Sequence, residues 1–75
     1  MCYLDIKSLI VSHIKGTSDM TNPMLHRILI DSFGSYSKAQ LLQLQAILHT
    51  YLNGSEDEDE IRVANWVLNL LTGRY

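Results

Sequence analysis

Residues 56–72, with the sequence EDEDEIRVANWVLNLLT, are the most informative segment of the chain. On a helical wheel the apolar side chains of this segment cover an arc of about 220°, and we expect Leu68 near its centre. A surface helix of a small monomer needs an apolar stripe of only about 100°. The segment therefore predicts a helix that is covered on more than one side, either inside a compact monomer or against a second copy of the chain.

Apolar residues also recur at helical spacing upstream of this segment, between clear helix-stop signals. The stop signals are Gly16, Gly34, Asn53-Gly54 and Gly73. They predict one helical domain, residues 1–75, with four helices at about 3–15, 23–33, 38–52 and 56–72. No run of residues alternates cleanly between polar and apolar, as a strand would. The predicted fold class is all-α, a small bundle of four short helices that shares its core with a second copy.

Residues with a preference for helix starts precede three of the four segments. Asn22 is the expected N-cap of the second helix, because Pro23 suits the first helical position. Ser37 and Gln40 have the spacing of a capping box, and so do Ser55 and Glu58. The second box would place the acidic run, residues 56–60, over the first turn of the last helix, where the helix dipole favours negative charge.

The size and composition of the chain favour self-association. A chain of 75 residues has little core of its own, and its single cysteine, Cys2, excludes an internal disulfide framework. We therefore expect a homodimer or higher oligomer, built by symmetric pairing of the last two helices. No signal peptide is visible, and residues 63–71 are too short an apolar stretch to span a bilayer. The expectation is a cytoplasmic protein without a membrane segment.

No motif for catalysis or metal binding is found. His13, His26 and His49 lie in three different predicted helices, and none has a second histidine or cysteine three or four residues away. There is no nucleophile elbow and no glycine-rich phosphate loop, and Cys2 has no evident base beside it. The carboxylates of the acidic run crowd together in a segment expected to lie in water, not in an apolar pocket. We expect no enzyme activity, no cofactor and no metal.

The remaining features suggest a small regulatory protein that binds another protein, as an inhibitor or an adaptor. Aromatic residues are enriched at interface hot spots, and acidic residues orient a partner with a basic surface. The predicted interaction residues are Trp66, Leu70, Tyr51, Val63, Glu56, Asp57, Glu58, Asp59 and Glu60. Two simpler interpretations stay open: the aromatic residues fill the core, and the acidic run only stabilises the helix N-terminus.

The alternative hypothesis is a dimeric helix-turn-helix transcription regulator whose recognition helix is residues 38–52. That helix carries polar side chains of the types that contact DNA: Lys38, Gln40, Gln43 and Gln45. Glutamine can pair with adenine in the major groove. However, the chain has a net charge of −2, and phosphate contacts from basic residues dominate the affinity for DNA. Binding to another protein is therefore the preferred hypothesis, and nucleic acid is not the expected partner.

Overall fold

The computed structural model describes residues 3–73, which form four α-helices in chain order. They are α1 (Tyr3–Ile14), α2 (Asn22–Phe33), α3 (Lys38–Gly54) and α4 (Glu58–Thr72). The described part of the chain contains no strand, so the predicted all-α class with four helices is confirmed. The shared core with a second copy stays a prediction. Cys2 lies outside the described residues.

Helix α4 is the central element of the bundle, because it packs against each of the other three helices. Its buried residues are Ala64, Val67 and Leu70. They join a single core to which every helix contributes: Ile6, Ile10, Ile14, Leu25, Leu29, Leu44, Leu48, Ala64, Val67 and Leu70. Three neighbours within one chain thus bury the centre of the wide apolar arc of α4, while the rest of the arc is partly buried.

The centre of that arc is Val67, not Leu68. Val67 is fully buried, whereas Leu68 is partly exposed. At 100° per residue, Val67 falls near the middle of the arc and Leu68 falls about 100° further round, towards its edge. The expectation for Leu68 is therefore wrong.

Helices α3 and α4 form a hairpin around a three-residue connector, residues 55–57. With so short a connector, two helices that pack along each other must run antiparallel. Leu44 and Leu48 are the buried residues of α3, and they lie on one side of the helix. The opposite side of α3 is open: Leu42 is 53% exposed.

The end of α1 and the start of α3 follow the predicted signals, although α1 ends one residue earlier and α3 two residues later than predicted. After α1, the Thr17 N–H donates to the Ser12 carbonyl and the Gly16 N–H to the His13 carbonyl, which is the Schellman pattern. Gly16 has a φ of +74°, the left-handed conformation that this pattern requires. At the start of α3, the Gln40 N–H donates to Ser37 Oγ and the Ser37 N–H to Gln40 Oε1. The capping box at Ser37 is confirmed.

The other two helix starts differ from the prediction. The N-cap of α2 is Thr21, and Asn22 is the first residue of the helix. The N-cap of α4 is Asp57, whose carboxylate accepts from the Asp59 N–H at 2.9 Å. Ser55 Oγ accepts instead from the Asp57 N–H and donates to Glu60 Oε1. The helix therefore starts later than predicted, because aspartate at position 57 competes successfully with Ser55 for the cap.

None of the helices described for residues 3–73 combines the length and the apolar character that crossing a lipid bilayer requires.

Candidate functional site

One exposed-to-partly-buried face of α4 carries both an aromatic and an acidic side chain. Asp59, Val63 and Trp66 follow one another at four- and three-residue spacing, so they lie on the same side of the helix. Asp59 is exposed, while Val63 and Trp66 are partly buried and pack against the core. Asp59 and Trp66 are about 10 Å apart along the helix axis at 1.5 Å per residue.

Two histidines from other helices flank the indole of Trp66. The ring centroid of His13, in α1, lies 6.0 Å from that of Trp66, and the centroid of His26, in α2, lies 6.5 Å from it. Beside the indole is a shallow, open depression lined by Asn22, Pro23, His26 and Trp66. Three helices thus meet at one aromatic cluster that borders solvent, an arrangement suited to receive an apolar side chain of a partner.

A hydrogen bond fixes the wall of this depression. His13 Nε2 lies 2.6 Å from Asn22 Oδ1 and connects the last turn of α1 to the first residue of α2. Because the amide oxygen only accepts, Nε2 carries the hydrogen and donates it. The other ring nitrogen, His13 Nδ1, is buried without a hydrogen-bond partner among the described residues. Asn22 therefore acts in tertiary packing and not as the predicted cap.

Two carboxylates of the acidic run form hydrogen bonds within the chain, and the other three are exposed. Glu58, Asp59 and Glu60 lie in the first turn of α4, whereas Glu56 precedes the helix. Asp57 caps the helix and Glu60 accepts from Ser55, so these two carboxylates stabilise the chain's own structure. Asp59 forms a long, exposed ion pair with Arg62, at 3.7 Å. Glu56 and Glu58 are exposed and project charge into solvent.

The other two predicted interaction residues differ in burial: Leu70 is buried and Tyr51 is partly buried. Leu70 is 3% exposed and belongs to the core, so a docking surface cannot include it without unfolding. Tyr51 is partly buried on α3 and packs against the core.

The sequence pattern did not indicate His13, His26, Asn22 or Pro23 as part of a site. The spacing of His13 after Ile6 and Ile10 places it beside the apolar face of α1, but no sequence signal connects that face to Trp66.

The side chains selected for DNA binding do not share one surface. Lys38, Gln40, Gln43 and Gln45 are distributed over about 220° of the circumference of α3 at 100° per residue. The Gln40 side chain completes the capping box, and Gln43 Oε1 accepts from the Tyr3 hydroxyl at 2.9 Å. A recognition helix needs its base-reading side chains on one exposed face. No observation on the described residues favours this alternative.

Within residues 3–73, no three histidine, cysteine, aspartate or glutamate side chains lie together as ligands of a metal ion would. The class that these features define is a small four-helix bundle with an aromatic cluster at its surface and an acidic helix start. Comparison with known protein families, with curated proteins and with solved structures finds no match for this chain.

Proposed function

We propose that the protein is a non-catalytic regulator that binds another protein through a surface composed of the Trp66 depression and the acidic start of α4. The observation that carries the proposal is the shared face of α4, on which Asp59, Val63 and Trp66 follow one another. Such a face would let one partner segment place an apolar side chain beside Trp66 and basic side chains near the carboxylates. Aromatic anchors supply most of an interface's binding energy, and complementary charges raise the association rate.

The proposed mechanism is steric. As an inhibitor, the protein would cover a surface that other ligands of the partner need. As an adaptor, it would hold the partner beside those ligands. The proposal includes self-association to a homodimer, on the ground that a 75-residue chain buries a small core. It includes action in the cytoplasm. For Asp57 and Glu60 the proposal keeps the simpler interpretation. Their hydrogen bonds within the chain give them a structural role that needs no partner.

The experiment is an affinity capture from the native host, with and without nuclease, using three tagged proteins. The first is the wild type, and the second is the double variant Glu58→Gln, Asp59→Asn. This variant removes exposed negative charge but keeps the cap at Asp57 and the Ser55–Glu60 hydrogen bond. The third is Met24→Gln, a control that changes a residue 56% exposed on α2 but absent from the lining of the depression.

We expect the wild type and the Met24 variant to capture the same partner protein, with or without nuclease. The double variant should lose this capture or show much less of it. His26→Ala, which alters the depression without truncating a core residue, is expected to reduce the same capture. Recovery that depends on nucleic acid, or equal capture by all variants, would contradict the proposal. Circular dichroism of each variant establishes that the helices are intact.

A further inference from the structure

The open side of α3 carries a regular seam that the bundle does not use. Ala39, Leu42, Ala46, His49 and Asn53 alternate at three- and four-residue spacing and are all exposed. At 100° per residue they fall within an arc of about 80°, opposite the buried Leu44 and Leu48. This 3.5-residue repeat is the spacing by which two helices pack side by side over several turns.

The two ends of this seam have opposite charge. Lys38, in the first turn, is the only charged residue of α3, and it is exposed. Just beyond the last turn of α3 follow Glu56 and the rest of the acidic run. If a second α3 packed antiparallel against the first, the positive end of each helix would lie beside the negative end of the other. A parallel arrangement would place like charges together.

We propose that the outer face of α3 pairs with the same face of a second copy, antiparallel, about a two-fold axis. The charge pattern selects this occupant, since the surface is complementary to itself. Pairing about the middle of the helix, at residue 46, sets Leu42 beside the partner's His49 and the two Ala46 residues against each other, where small side chains let the helices approach. The same register brings Lys38 close to the partner's Glu56. The inference names the surface for the self-association included in the proposed function, and it does not depend on the binding of another protein.

This arrangement leaves the Trp66 surface accessible. Helix α4 packs against the side of α3 that bears Leu44 and Leu48, whereas the seam lies on the opposite side. It also changes the expected role of α4: because α4 already contacts α1, α2 and α3, the pairing surface belongs to α3 alone.

The first test is the mass of the full chain in solution, measured by sedimentation equilibrium over a wide range of protein concentrations. We expect the wild type to dimerise and Leu42→Lys to remain a monomer at the same concentrations, because the substitution replaces the one large apolar side chain of the seam by an ammonium group in each copy. Leu4→Lys is the matched control, since Leu4 is 69% exposed on α1, outside the seam. It should dimerise like the wild type. A wild type that stays monomeric, or a Leu42→Lys protein that dimerises normally, overturns the proposal.

The second test addresses the antiparallel direction. Lys38→Glu and Glu56→Lys should each weaken the dimer by about tenfold, because both symmetric contacts change from attraction to repulsion. An equimolar mixture of the two variants should regain the wild-type affinity, since each mixed dimer has two complementary contacts. Neither residue caps a helix, so the fold is retained. A wild-type dimer whose variants do not recover on mixing would overturn the antiparallel arrangement.

The two proposals fail in different experiments. Equal capture of the partner by the wild type and by His26→Ala, together with a wild type that dimerises and a Leu42→Lys protein that does not, refutes the Trp66 surface and leaves the α3 pairing intact. A monomeric wild type that still captures its partner refutes the α3 pairing and leaves the proposed binding intact.

Discussion

Truncation of Leu48 to alanine tests whether the chain has the core described above. Leu48 is 1% exposed, on the side of α3 that packs against α4. Leucine-to-alanine changes at buried sites cost about 2–5 kcal/mol, which combines the lost burial with the cavity that remains. A 75-residue domain has a total stability of about 4–11 kcal/mol. We therefore expect a loss of about 3 kcal/mol, a large share of the total, and a fall in melting temperature of about 12–24 °C.

The matched control is Leu4→Ala, the same chemical change at a residue that is 69% exposed on α1. Its cost is expected to stay within about 0.5 kcal/mol, because an exposed leucine loses little burial and alanine is an excellent helix former. Urea unfolding at several protein concentrations, followed by far-ultraviolet circular dichroism and by Trp66 fluorescence, measures both. Equal losses for the two variants, or a loss below about 1 kcal/mol for Leu48→Ala, would refute the described packing.

Three further predictions concern the helix ends and α4. Ser37→Ala should cost about 1 kcal/mol in urea unfolding, because it removes half of the capping box; no change would mean that the box does not stabilise α3. Gly16→Ala should cost about 1 kcal/mol since its φ is +74°, while Gly34→Ala, with a φ of −67°, should be neutral or slightly stabilising, as thermal melts would show. Val67→Asp should abolish the cooperative thermal transition, because it buries a carboxylate without a partner, whereas Leu68→Asp should retain one at a lower temperature. The reverse order would restore Leu68 to the centre of α4.

The number and order of the helices could be predicted because their signals are local. Gly16 and the Ser37–Gln40 pair act within one or two turns and have the predicted roles, and Pro23 lies in the first turn of α2, one position later than predicted. The start of α4, in contrast, differs from the prediction. Ser55 and Asp57 are both good caps, and the choice between them depends on where the α3–α4 connector positions the chain, which is not a local property.

The candidate site could be predicted only in part, since its members come from three helices. Trp66 and the acidic run have recognisable chemistry, and the sequence identified them. His13, His26 and Asn22 join Trp66 because α1 and α2 both pack against α4, and no spacing along the chain encodes that meeting. Leu70 was selected for its place in a wide apolar arc, but an arc shared among three neighbours leaves little of it for a partner.

The central position of α4 also determines how the two proposed surfaces would work together. Dimerisation through α3 would join the copies by the sides turned away from α4, so both Trp66 surfaces would face outward, related by the two-fold axis. A partner that is itself symmetric could then be held at two places, and the second contact would form at the high effective concentration set by the first. The Leu42→Lys monomer would bind such a partner far more weakly than the dimer does, although its Trp66 surface is unchanged. A partner with a single site would bind both forms equally, two partner molecules to each dimer. The ratio of the two affinities therefore reports whether the pairing of α3 serves recognition or stability alone.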